Sequence, residues 1–172
     1  MGSLIALHTA VESPAKPDGL ILVSPVVSLD AIPNWQVSTL RLAASIAPNA
    51  RVSLESLAGG SFQATTHSNH FDRSEKNPYH VDSYTLRYLS TLAKLSQAMT
   101  KNASQTSLPT LILHGGKDFL TQDYQIQKFA DAFPQRPQVS QFEKSHHLLF
   151  YDKDKEEVTA TVRNWVARPL LF

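Results

Sequence analysis

Two short, uninterrupted apolar runs, Leu20-Ile21-Leu22-Val23 and Leu111-Ile112-Leu113, set the strongest limit on the fold. A strand with one wet face alternates apolar and polar residues, so a run with no polar member must be buried on both faces, as in a parallel sheet covered by helices. The first run follows Pro17-Asp18-Gly19 and stops at Ser24-Pro25; the second follows Leu108-Pro109 and leads into His114-Gly115-Gly116-Lys117-Asp118. Parallel strands cannot be joined by tight hairpins, and the expected class is therefore α/β with right-handed crossovers.

The segments around these runs supply the crossovers. Leu4, Leu7, His8 and Val11 recur at helical spacing ahead of Pro14, and His8, on the apolar side, is expected to be a packed core histidine. A helix is predicted from about Asp123 to Phe133, then a short strand at Val139-Ser140-Gln141-Phe142. The last helix places Val158, Val162, Trp165 and Val166 on one stripe, with Glu156 and Glu157 in its first turn, where negative charge favours the helix dipole. Between Val26 and Ser107 the character changes. Trp35, Leu40, Leu42, Ala43 and Ile46 predict a helix ended by Pro48, the stretch from Gly59-Gly60 to Asn77-Pro78 is turn-rich, and Tyr84 to Met99 is again helical. No strand alternation is seen in this block, and Thr100 to Ser107 reads as a surface connection. Residues 1–25 and 108–172 are thus expected to form the α/β core, and residues 26–107 a helical insertion.

Sixteen basic residues against fifteen acidic ones leave no basic face for a nucleic acid. Cysteine is absent, which removes disulfides, thiolate nucleophiles and zinc ribbons and fits a reducing, cytoplasmic location. No run approaches the roughly 18 apolar residues of a membrane span, so no integral membrane segment is expected.

Asp118 follows a buried strand through a two-glycine turn, which stands its carboxylate at the carboxyl edge of the sheet, where open α/β folds bind ligands. Glu143-Lys144-Ser145-His146-His147-Leu148-Leu149 comes just after the next strand, so one strand-helix-strand unit brings a histidine to the same edge. Imidazole takes and returns a proton near neutral pH, and a carboxylate orients it: the acid and base of a serine-hydrolase triad. Of the two neighbours His146 is preferred. Asp30, soon after the first run, is the alternative acid. His67, His70, Asp72 and His80 have zinc-binding side chains but no helical H-E-x-x-H spacing, and are read as polar loop residues; no metal or cofactor is expected.

The opening Met1-Gly2-Ser3-Leu4-Ile5-Ala6-Leu7 reads as the second half of a G-x-S-x-G nucleophile elbow, with the serine expected immediately before Met1. Ser3 lies inside the first helical turn and Ser24 leads into Pro25 rather than a glycine elbow, so neither is expected to attack. With upstream strands missing, the apolar runs would leave open sheet edges, and self-association is expected.

The opening heptapeptide, Leu108 to Asp118 and Ser145-His146-His147-Leu148-Leu149 together resemble the monoacylglycerol lipase and lysophospholipase branch of the α/β-hydrolases, also called serine aminopeptidase-like, which reads near G-H-S-M-G-G, H-G-x-x-D and Y-H-x-L-L at these places. The resemblance implies the C-terminal part of an α/β-hydrolase fold, with the insertion as a cap over an acyl-chain pocket. Trp35, Phe62, Tyr79, Tyr84 and Tyr88 are its aromatic candidates. By resemblance Asp118 is the triad acid, His146 the general base and the Met1 N–H part of the oxyanion hole; the substrate is a monoacylglycerol, a lysophospholipid or a similar carboxylic ester. Ser3 replaces the family's second glycine, Ser145 its aromatic, and His147 its acidic residue. Lacking a nucleophile, this chain is expected to be inactive alone; the alternative is a non-catalytic module that binds a lipid or a partner.

Overall fold

The apolar runs are neighbours in a three-stranded parallel sheet of order β1-β4-β5, formed by β1 (Leu20–Val23), β4 (Thr110–Gly115) and β5 (Gln138–Phe142). Leu20 to Val23 pair with Thr110 to Leu113, and Leu111 to Gly115 pair with Gln138 to Phe142. The computed structural model describes residues 1–27, 34–53, 65–66, 77–78 and 81–168. Every residue of β4 is buried, as a strand with neighbours on both edges and helices on both faces must be.

The pleat sends alternate side chains to opposite faces. Leu22 and Ile112 enter a core with Leu4 and Leu7 of α1 (Gly2–Glu12), Ile126 and Phe129 of α5 (Asp123–Ala130), and Met99 and Ala103 of α4 (Met99–Ser104). Leu111, Leu113 and Phe142 enter a second core with Val158, Val162 and Trp165 of α6 (Lys155–Val166). Burying each leucine of β4 contributes about 1.5–3 kcal/mol, which makes this strand the anchor of both layers. The stripe on α6 is shorter than expected: it ends at Trp165, and Val166 is 63 % exposed. His8 is half-buried rather than packed in the core, with its Nδ1 3.4 Å from the Asn102 amide nitrogen.

The segment between β1 and β4 holds α2 (Asn34–Ile46) and α3 (Leu86–Gln97), and also a two-stranded antiparallel sheet that the sequence did not suggest. β2 (Arg51–Ser53) pairs with β3 (Ser83–Thr85), strands of three residues each and too short to show an alternation. Arg51 secures the pair through its guanidinium to the Ser83 hydroxyl and carbonyl, and Thr85 caps α3 by accepting the Tyr88 N–H. Thr100 to Ser104, expected as surface connection, is helical in α4, because Met99, Asn102 and Ala103 are buried.

Candidate active site

The loops that carry Asp118 and the His146-His147 pair are held together by their backbones before any side chain is considered. Past the end of β4 the Gly116 N–H donates to the Phe142 carbonyl (2.8 Å) and the Lys117 N–H to the Ser145 carbonyl (3.0 Å). Gly115 lies so close to the second loop that an added Cβ would stand 2.3 Å from the His146 carbonyl oxygen and 2.4 Å from that of Ser145. Only glycine admits this approach.

Asp118 sits on this junction with its side chain buried, and both its oxygens are engaged. Oδ1 accepts the Leu120 N–H at 2.9 Å, and Oδ2 lies 2.8 Å from Nδ1 of His147. An ionised carboxylate only accepts hydrogen bonds, so this contact places the imidazole proton on Nδ1 and leaves the Nε2 lone pair free to take another. His147 remains partly open, at 19 % side-chain exposure.

The structure thus brings Asp118 together with His147 and not with His146, the neighbour the sequence reading preferred. His146 is turned to a different carboxylate: its N–H and its Nδ1 meet Asp152 Oδ2 at 2.9 and 3.0 Å. Asp152 is wholly buried and also accepts from the Lys153 N–H and from the Thr66 hydroxyl and N–H, while the Thr65 hydroxyl donates to the Tyr151 carbonyl. Burial alone would raise the Asp152 pKa, but these donors outweigh it and hold the carboxyl well below its usual range. The base of the loop is fixed by Asp154, whose Oδ2 accepts from the Lys144 N–H and the Ser145 hydroxyl, both at 3.0 Å. With its backbone pinned at Lys144, Ser145 and His146, the loop presents the imidazole of one histidine to each carboxylate.

His114 is buried, with Nε2 3.3 Å from Asp123 Oδ1; burial pushes its pKa down against the pull of Asp123 and Asp118.

The start of α1 reaches the same sheet edge. The Ser3 hydroxyl donates to the carbonyl of Val23, the last residue of β1, at 2.8 Å. Next to it Ser24 has a left-handed backbone, φ 42°, strained by about 1–3 kcal/mol for a residue with a side chain, and its hydroxyl donates to the His147 carbonyl at 2.7 Å. Tyr88, stacked on Tyr84 at 4.7 Å, directs its hydroxyl to the Met1 sulfur at 3.0 Å, whereas Trp35 is 66 % exposed. Asp30, Phe62, His67, His70, Asp72, Tyr79 and His80 lie outside the described residues. Among the described residues no group of three or more carboxylate, imidazole or thiol side chains is placed to hold a metal ion, and no helix is long and apolar enough to cross a membrane.

The model of the family described as serine aminopeptidase, S33, matches residues 1–154. This chain belongs to that family. It is 24 % identical over 172 residues to a monoglyceride lipase homolog of monkeypox virus, an alignment covering 96 % of this chain and 60 % of the relative. Its fold matches a crystal structure of the monoacylglycerol lipase of Paleococcus ferrophilus, with a TM-score of 0.80 and 18 % identity, over 95 % of this chain and 64 % of the other. A soluble variant of the Saccharomyces cerevisiae monoglyceride lipase, solved with a substrate analog, matches with a TM-score of 0.75 and 16 % identity, over 95 % and 61 %. The fold is accordingly an α/β-hydrolase fold, present in part: the chain spans about 60 % of the length of the curated relative it matches.

The likeness to Y-H-x-L-L puts the pattern's histidine at His146 of this S33 chain, one residue before the imidazole that meets Asp118. The usable signal lies downstream, in Asp152 and Asp154, whose carboxylates bind the loop and leave the second histidine for Asp118.

Proposed function

We propose that the protein carrying this sequence is a serine hydrolase of carboxylic esters, acting on monoacylglycerols or lysophospholipids, with His147 as general base and Asp118 as its orienting acid. The observation that carries this reading is the 2.8 Å contact between the His147 Nδ1 and a buried carboxylate that a backbone N–H prevents from turning away. The nucleophile is a serine just ahead of α1, and the backbone N–H of Met1 contributes to the oxyanion hole, as the elbow pattern of Met1-Gly2-Ser3 requires. Ser3 is engaged with the Val23 carbonyl and Ser24 with that of His147, so both hydroxyls have other work.

In this reading Nε2 of His147 takes the serine proton as Oγ attacks the acyl carbonyl. Asp118 stabilises the imidazolium, which returns the proton to the leaving alcohol; water then repeats the sequence and releases the fatty acid. No metal or cofactor takes part. Residues 26–107 form the cap over the acyl chain, secured to the base loop where Thr65 and Thr66 meet Tyr151 and Asp152. The likeness to monoglyceride lipases favours lipid esters over the peptides that the family's description names.

The test is hydrolysis by the full-length protein of a monoacylglycerol, a lysophospholipid and an aminoacyl anilide. The lipid esters should be the better substrates; Asp118→Asn should lower kcat about 10⁴-fold and His147→Ala about 10⁶-fold. His146→Ala should cost far less. Preference for the anilide would overturn the substrate class, and a larger loss from His146→Ala would overturn the choice of base.

A further inference from the structure

We infer that Ser24 is a positioning residue for the base: its hydroxyl fixes the carbonyl of His147 and so determines where that imidazole stands. The inference rests on the assignment of His147 made above.

Three consecutive residues at the carboxyl end of β1 are each bonded to a different wall of the site. The Val23 carbonyl accepts from Ser3 at the start of α1, the Ser24 hydroxyl donates to His147, and the Pro25 carbonyl accepts from the hydroxyl of Thr121, in the loop after Asp118, at 3.2 Å. The nucleophile helix, the base loop and the acid loop therefore share one short piece of chain. Ser24 is its only member that grips the base loop, and it is 4 % exposed, so water does not compete for the bond.

The backbone makes the same point. At φ 42° glycine would be at ease and a side chain is strained. The Ser24 N–H already keeps the strand in register through the Leu113 carbonyl at 2.8 Å, a bond that glycine would keep. What glycine cannot supply is the hydroxyl, and that hydroxyl reaches the residue carrying the imidazole. The His147 carbonyl also accepts the Leu149 N–H, at 3.2 Å, so the loop remains closed without Ser24 but loses its link to β1.

The experiment uses full-length protein labelled with ¹⁵N-histidine and follows the Nδ1–H resonance of His147, assigned by its loss in His147→Gln and quickened in exchange by Asp118→Ala. In Ser24→Ala, which keeps the strain and removes the hydroxyl, this proton should exchange about fivefold faster, the size expected for one hydrogen bond. In Ser24→Gly the exchange should quicken equally while the denaturation midpoint holds or rises, a combination that a merely structural serine would not produce. Should Ser24→Ala fail to fold, Ser24→Gly decides. Unchanged exchange in the folded Ser24 variants overturns the inference and leaves the pairing intact. A wild-type His147 without an Asp118-dependent Nδ1–H overturns the pairing itself, and the role of Ser24 with it.

Discussion

Asp152 and His114 are buried ionisable groups that shape the site without touching Asp118–His147, and they set its response to acid. Burial would raise the Asp152 pKa, but hydrogen bonds from Thr66, His146 and Lys153 bring it below its ordinary 3.8. A carboxyl depressed in the fold is protonated first in the unfolded chain, so its stabilisation is complete above about pH 3.8 and is lost as pH falls further. His114 is lowered by burial from 6.5, so the stability linked to its neutral form is lost as pH falls below that value. Acid unfolding should therefore begin below pH 6.5 and steepen below 3.8. Asp152→Asn should cost about 1–3 kcal/mol at pH 7 and flatten the lower limb; urea midpoints between pH 7 and 2 read both. At this scale the sequence was only partly legible. Asp118 stood out because a buried strand and two glycines lead to it, whereas the choice between adjacent histidines depends on the turn after β5, which spacing does not encode.

At the scale of elements, the carboxyl ends of β4 and β5 form one unit, with Gly115 against the base loop. Gly115→Ala would put a methyl carbon within 2.4 Å of two backbone oxygens, neither of which belongs to a flexible side chain. The loops would have to separate, and we expect a loss of about 2–4 kcal/mol, as for a severe overpacking of a core. Because the separation lies between Asp118 and His147, activity should fall more than stability. The core elements were readable because burial on both faces leaves a continuous apolar run and amphipathic helices leave a 3.6-residue period. β2 and β3 were not, since three-residue strands held by Arg51–Ser83 contacts carry no periodic signal. α4 was missed for a related reason: Met99, Asn102 and Ala103 bury one face of a helix too short and too polar to stand out.

For the molecule as a whole, the sheet that carries the site has three strands among the described residues, in the order β1-β4-β5. β1 pairs with β4 on one edge and, among the described residues, with nothing on the other. Between α1 and the start of β1 lies a largely apolar groove lined by Ala6, Thr9, Ala10, Pro17 and Leu20. We read this face as the seat of the strands and nucleophile that a longer chain supplies, in keeping with a relative of which 60 % is covered; an isolated copy would use the same edge to self-associate. The measurement that tests this account most directly is the rate at which a fluorophosphonate ester labels the native protein, with the labelled peptide and the intact mass read by mass spectrometry. We expect a mass above 19.1 kDa, a single adduct on a serine preceding Met1, and a labelling rate that falls by at least about 10³-fold in His147→Ala but little in His146→Ala. An adduct on a serine within these 172 residues, no adduct at all, or a rate that follows His146 would contradict it.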